Sequence, residues 1–148
     1  MLRKEANALT PQMYAELRQK VDFQEYSLED VAKALEKTLF SVVIFDDHKP
    51  IGIGRIVGDD RIVFFIKDVV VDPEYQKQSI GYTIMHSLMN YIQEKACENA
   101  YIGLMATPNT EKFYEKFGFI QRPNQDFGHG MVKFVDKSYK IDNPMEDK

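Results

Sequence analysis

Residues 69–81 read Val-Val-Val-Asp-Pro-Glu-Tyr-Gln-Lys-Gln-Ser-Ile-Gly. An apolar strand runs through one short polar turn into a long amphipathic helix. That junction constrains the fold: the helix must lie back on the sheet it leaves, so the chain is built in α and β layers. The helix carries Ile80, Ile84, Leu88 and Ile92 on one stripe, with Met85 and Met89 beside them. The junction also has chemistry. The first N–H groups of a helix have no partner within it, and the positive end of the dipole stands behind them. Such an end is an anion site, most often a phosphate site.

The remaining pattern surrounds this junction. Thr10 and Pro11 open a first helix, with Met13, Leu17 and Val21 as its apolar stripe. Ser27 opens a second, with Asp30 placed as the acid of a capping box and Leu28, Val31 and Leu35 as the buried face. A meander follows: residues 39–45, a turn at 46–50, residues 51–57 with period two, a turn at 58–60, and a strongly apolar run at 61–71. That last run predicts a strand buried on both faces at the centre of a sheet. After the long helix come a short strand at 101–105, a helix capped by Asn109 that carries Phe113 and Phe117, and Gly118 in a left-handed C-terminal position. Residues 119–120 and 131–135 read as two last strands, and 136–148 as a polar, frayed tail. The expected fold is a mixed α/β sheet, not a strictly alternating doubly wound one.

Composition narrows the function classes. A chain of 148 residues suits one domain. No apolar run approaches the roughly 18 residues of a membrane span, and no apolar block follows the N-terminal charges, so cytoplasmic residence is the expectation. The net charge of −4 argues against a dedicated nucleic-acid binder. One cysteine, Cys97, excludes an internal disulfide and a cysteine-based metal cluster, and no spacing suggests a metal site.

Two motifs then point to one family. Gln76-x-x-Ser79-x-Gly81 resembles the pyrophosphate loop Gln/Arg-x-x-Gly-x-Gly/Ala of the GNAT superfamily of N-acetyltransferases. Residues 109–119, Asn-Thr-Glu-Lys-Phe-Tyr-Glu-Lys-Phe-Gly-Phe, resemble that family's second signature, Asn-x-x-Ala-x-x-Phe-Tyr-x-Lys-x-Gly-Phe. The Ile-x-Asp-Val-Val-Val-Asp-Pro run and the late Gly130-Met131 look most similar to small arylalkylamine/serotonin-type members. The resemblance implies a GNAT-like domain over residues 1–135, with acetyl-CoA as co-substrate and a small-molecule amine as acceptor; composition and spacing add the expectation of no metal, nucleic-acid or membrane partner. Dimers are common in the family, which leaves a homodimer open.

The resemblance also implies roles. Gln76, Lys77, Gln78, Ser79, Ile80, Gly81 and Tyr82 form the cofactor loop. The amides of Gln78, Ser79, Ile80 and Gly81 can converge on a pyrophosphate, and Gly81 admits close approach. Lys77 and Ser79 stand where the family often has glycine; a left-handed Ser79 would carry backbone strain. The strand residues Val69, Val70 and Val71 are expected beside a bulge. There the backbones of Val69 and Val71 pair with the pantetheine arm, and a freed amide near Val70 holds the thioester oxygen. Asn109 hydrogen-bonds the pantetheine.

Tyr114 is the catalytic acid candidate. It points away from the Phe113/Phe117 face, and a phenol is protonated at pH 7 and can donate to a departing thiolate. A packing tyrosine is the alternative. Asp68 is the second catalytic candidate, as general base or amine anchor. It is a carboxylate between Phe64-Phe65-Ile66 and Val69-Val70-Val71, where burial is expected to raise its pKa. The alternative is an Asp68 bonded to a neighbouring loop. His48 and His86 read as solvated and structural; His129 lies in a loop that could border the acceptor. Tyr75 and Arg55 are left undecided as acceptor contacts. The leading expectation is acetyl transfer by direct attack in a ternary complex, since no activated nucleophile is evident. A CoA-binding sensor without turnover is the alternative; protein N-acetylation finds no acidic peptide groove to support it.

Overall fold

A strand needs a partner more than it needs an apolar pattern, and the first strand shows this. The computed structural model describes residues 1–76 and 78–140. In it β1 (Leu2–Ala6) is exposed at every residue. It is held by its antiparallel ladder to β2 (Phe40–Asp46), from Leu2 opposite Asp46 to Ala6 opposite Val42. The N-terminal ammonium lies 3.2 Å from both Asp46 and Asp47. With no buried face there is no period-two signal, so this strand was absent from the expected order.

β2, β3 (Lys49–Gly58) and β4 (Val63–Val71) form the expected meander. β5 (Tyr101–Gly103) closes a five-stranded sheet of order β1-β2-β3-β4-β5, antiparallel except for β4 and β5. β4 starts at Val63 because Asp59 Oδ1 accepts from the amides of Arg61, Ile62 and Val63 and holds that segment in a turn. The continuous burial predicted for the 61–71 run belongs instead to β2 and β3, over residues 41–45 and 51–56. β4 alternates, because it lies next to a short edge strand that pairs only Val63, Phe64 and Phe65.

Helices cover both faces. Thr10 accepts from the Met13 amide and Pro11 begins α1 (Pro11–Gln19). Ser27 accepts from the Asp30 amide at the start of α2 (Leu28–Leu35). Tyr14, Leu17 and Val31 pack on Val43, Phe45, Ile53 and Val70. Leu28, expected in that face, is 47% exposed. On the other face α3 (Ile80–Lys95) buries Ile80, Ile84, Met85, Leu88 and Ile92. It lies close because Gly52 and Gly54 present no side chain: a Cβ on Gly54 would stand 2.6 Å from Ile84 Cγ2 and 3.1 Å from Leu88 Cδ1.

The chain divides into two compact units, Met1–Leu104 and Met105–Lys148. The second contains α4 (Glu111–Glu115). Gly118 (φ +89°) ends its helical segment as expected, its amide donating to Glu115 O at 3.0 Å while the Phe119 amide donates to Tyr114 O at 3.4 Å. Asn109 does not cap it. Thr110 precedes the helix, no side chain caps it, and Asn109 is left-handed at φ 73°. Residues 119–120 and 131–135, expected as strands, join no ladder. Between them Asn124 Oδ1 accepts from the amides of Asp126 and Phe127, a local turn. Apolar β-branched composition does not make a strand without a ladder to join. Lys77 and residues 141–148, which include most of the expected tail, lie outside the described residues. No helix among the described residues is long and apolar enough to cross a membrane.

Candidate active site

The β3–β4 ladder slips by one residue at its middle. Ile53 faces Val70, but Arg55 faces Lys67. Gly54 therefore opposes both Asp68 and Val69, with Asp68 the extra residue at φ 58°. This is the expected bulge. Beyond it the Asp72 amide donates to Ile51 O at 2.8 Å. Backbone groups alternate in direction along a strand, so the Val70 amide also turns toward β3 while those of Val69 and Val71 turn away. On that side β5 pairs β4 only as far as Phe65. Among the described residues no ladder continues along that side past Phe65, so the amide beside Val70 that turns away from β3 is that of Val69.

The extra residue is clamped by charge. The Asp68 side chain is fully buried. Its Oδ1 accepts from Arg18 Nη1 and lies 3.5 Å from Lys67 Nζ, and its Oδ2 accepts from Arg55 Nε at 2.8 Å. Arg18 Nη2 donates to Gln24 O at 2.8 Å, and Arg55 Nη1 to Thr38 Oγ1 at 3.1 Å. The Arg18 guanidinium also lies 5.0, 5.2 and 5.5 Å from the rings of Tyr14, Phe23 and Tyr26. Burial pushes the Asp68 carboxyl up, but the Arg55 hydrogen bond and the charges of Lys67, Arg18 and Arg55 outweigh it and hold the group below its ordinary value. That reverses the direction expected from burial alone. Burial and the Asp68 charge raise the neighbouring Tyr14 phenol to about 12.

The turn after β4 is fixed separately. Asp72 accepts from the Glu74 amide at 2.9 Å and from Lys20 Nζ at 2.7 Å, and Tyr75 Oη donates to Asp46 Oδ2 at 2.7 Å. Neither Arg55 nor Tyr75, left undecided from the sequence, has a free polar head. A short 3₁₀ turn, Pro73–Tyr75, leads to Gln76 and Gln78, both exposed. Ser79 precedes α3 in the left-handed region, φ 61° and ψ 21°, and its side chain makes no capping bond. The chain therefore adopts here the conformation that glycine takes at least cost. Ile80 is buried beneath the loop, Gly81 is half-buried and Tyr82 is 52% exposed. Left uncapped, this helix end presents its first amides outward.

In the second unit, Tyr114 is half-buried with its ring edge-on to Phe113 at 5.0 Å and Phe119 at 6.3 Å. Burial pushes its phenol up, so it is protonated at neutral pH. Asn109 is exposed at the turn before α4.

A family model for the acetyltransferase (GNAT) domain matches residues 6–140. The chain belongs to the GNAT acetyltransferase family. A crystal structure of a probable acetyltransferase of unknown function from Staphylococcus aureus is similar at 34% identity and a TM-score of 0.82, covering 90% of this chain and all of that one. An uncharacterized ycf52-like N-acetyltransferase of Prochlorococcus marinus is 30% identical over 73% of this chain and 61% of its own. Serotonin N-acetyltransferase 2, chloroplastic, of Oryza sativa is 28% identical over 83% of this chain and 62% of its own. The chain spans about two fifths to three fifths of the length of the first such curated relatives.

In this GNAT chain the first unit brings Val69, Val70, Val71, Gln78, Ser79, Ile80 and Gly81 to one end of the sheet, with Asp68 behind them. Asn109 and Tyr114 belong to the second unit. Sequence reading missed Arg18, Thr38 and Tyr14. A signal existed: Tyr14 and Arg18 sit beside the apolar stripe of α1, and a cation there needs a buried carboxylate, which Asp68 supplies. A cleft of about 260 Å³ lined by Asn7, Leu9, Leu35, Thr38, Leu39 and Ser41 lies away from the α3 end and touches the clamp only through Thr38. Among the described residues no cluster of His, Cys, Asp or Glu side chains could hold a metal ion.

Proposed function

We propose that this protein transfers an acetyl group from acetyl-CoA to a primary amine by direct attack in a ternary complex. The observation that carries the reading is the junction itself. A bulged strand whose ladder to β5 stops at Phe65 leads within one turn to an uncapped helix end, so one face offers amides for an extended arm and for an anion. In this reading the amides of Gln78, Ser79, Ile80 and Gly81 receive the pyrophosphate, with Gln76 and Lys77 preceding them in sequence and Tyr82 in the first turn of α3. Val69 and Val71 pair with the pantetheine, as does Asn109. The Val69 amide donates to the thioester oxygen as charge develops there. The amine nitrogen bonds to the carbonyl carbon, the carbon–sulfur bond breaks, and the Tyr114 phenol gives its proton to the sulfur. Ordering of the two reactants supplies much of the acceleration. Residues 1–135 serve as one catalytic domain, a reading supported by the family match through both units.

Asp68 fits a different place from the base considered above. Its oxygens are occupied by two arginines, and its pKa lies below the ordinary value, which leaves it weakly basic. The amine proton then leaves through water. Thiol release from acetyl-CoA across aralkylamines, polyamines, amino sugars and lysine peptides tests the whole reading. Turnover with one class is expected; binding of acetyl-CoA without release for any amine would sink it. That second outcome is the sensor alternative, favoured by the left-handed Ser79 in place of glycine.

A further inference from the structure

We propose that Arg18 and Arg55 are positioning residues: through the Asp68 carboxylate they pin the extra residue of the β4 bulge and so fix where the Val69 amide stands on the side turned away from β3. The proposal rests on the N-acetyltransferase reading above for its consequence, but on the first unit alone for its geometry.

A bulge can in principle sit at any residue of a strand. Moving it by one position reverses which backbone groups face the partner strand. Were Val69 the extra residue, or were the bulge absent, the Val69 amide would not keep its present direction. The backbone at Asp68 is left-handed, φ 58°, which glycine would adopt more readily. What aspartate adds is a side chain, and every contact that side chain makes is a tether. Arg18 comes from α1 and carries Gln24 O of the α1–α2 loop. Arg55 comes from β3, next to the Gly54 that opposes the bulge, and carries Thr38 ahead of β2. One carboxylate thus ties the bulge to four other parts of the unit.

The burial of these groups argues against simpler roles. The Arg18 and Arg55 side chains are 6% and 10% exposed, too enclosed to meet a substrate directly. Nor is the cluster an efficient source of stability, since desolvating the charges offsets their attraction and apolar residues of similar volume do as well. What an ion cluster does well is specify one arrangement. A donor aimed at developing charge must hold its place to a fraction of an ångström.

The test uses the full chain. Asp68→Gly keeps the left-handed backbone and removes the tether; Arg55→Gln removes one arm; Arg55→Lys restores the charge with a single donor group. Each is assayed for kcat with acetyl-CoA, for CoA affinity by calorimetry, and for the Val69 amide resonance and its hydrogen exchange in ¹⁵N-labelled protein without ligand. Asp68→Gly and Arg55→Gln should lose about tenfold or more in kcat while CoA affinity changes by less than about threefold, because CoA lacks the thioester oxygen. In Arg55→Gln, a change remote in sequence from Val69, the Val69 resonance should move while those of Val63, Phe64 and Phe65 stay, and Arg55→Lys should recover part of the rate. Wild-type kcat in Asp68→Gly, or an unmoved Val69 resonance in Arg55→Gln, would overturn the proposal. If the larger changes prevent folding, Arg55→Lys decides through both readouts: a partial loss of kcat with a shifted Val69 resonance supports the clamp, and a partial loss of kcat with that resonance unmoved overturns it. If the wild-type protein turns over no amine, the transferase reading fails, and the amide measurement still accepts or rejects the clamp.

Discussion

At Tyr114 the phenol is protonated at neutral pH because burial raises its pKa, and it has the chemistry to neutralise a departing thiolate. Tyr114→Phe should lower kcat by about 10²-fold with CoA affinity nearly unchanged. Unchanged turnover removes Tyr114 from the mechanism. Ser79 holds a left-handed backbone without a glycine, a conformation that disfavours an L side chain by about 1–2 kcal/mol. Ser79→Gly should therefore stabilise the fold by about 0.5–1 kcal/mol, read as a higher urea midpoint; a lower midpoint would show that the serine side chain contributes more than the backbone strain removes. For Asp68, whose carboxylate is already held ionised by Arg55, Lys67 and Arg18, the variant Asp68→Asn should leave the acidic limb of the kcat/KM profile where it was. Displacement of that limb would restore Asp68 as the base. The residue identities behind these expectations were legible in the chain, since Tyr114 and Ser79 occupy motif positions. The direction of the Asp68 shift was not, because it depends on Arg18 and Arg55, remote in sequence.

At the scale of elements, the helix-on-sheet arrangement depends on how near α3 approaches β3. Gly52 and Gly54 set that distance, and a methyl group at Gly54 would collide with Ile84. Gly54→Ala should destabilise the protein by about 1–3 kcal/mol, read as a lower urea midpoint at unchanged slope. A neutral result would mean that α3 can shift outward without loss. The same elements mark the reach of pattern reading. α1, α2, α3 and the meander announce themselves through caps, turns and periodicity. β1 announces nothing, because its ladder to β2 holds it without burying a face. Residues 131–135 show the converse error: β-branched and aromatic composition with no ladder.

Across the molecule, two buried carboxylates couple fold stability to acid. For both Asp68 and Asp72 burial raises the pKa. At Asp68 the Arg55 hydrogen bond and nearby cations prevail; at Asp72 the Lys20 hydrogen bond, the Glu74 amide and the charges of Lys20 and Lys49 do. Both groups therefore titrate below 3.8, the value they would have unfolded. A depressed carboxyl contributes stability that is complete above the unfolded value and disappears as the pH falls through the folded one. The urea midpoint should thus drop steeply below about pH 4, and less steeply in Asp68→Asn. Equal steepness in the two proteins would remove Asp68 as a source of acid sensitivity. By itself the sequence determined the layered α/β class, the strand–turn–helix junction, the left-handed risk at Ser79 and the two motifs, because caps, turns and periodicity are local and leave their mark within a few residues. Only the tertiary structure decided that Asp68 is clamped by Arg18 and Arg55, that Asp68 is the extra residue of the bulge, and that the Val69 amide turns away from β3. Those properties arise from charges and ladders between segments far apart in the chain, and no local pattern carries them.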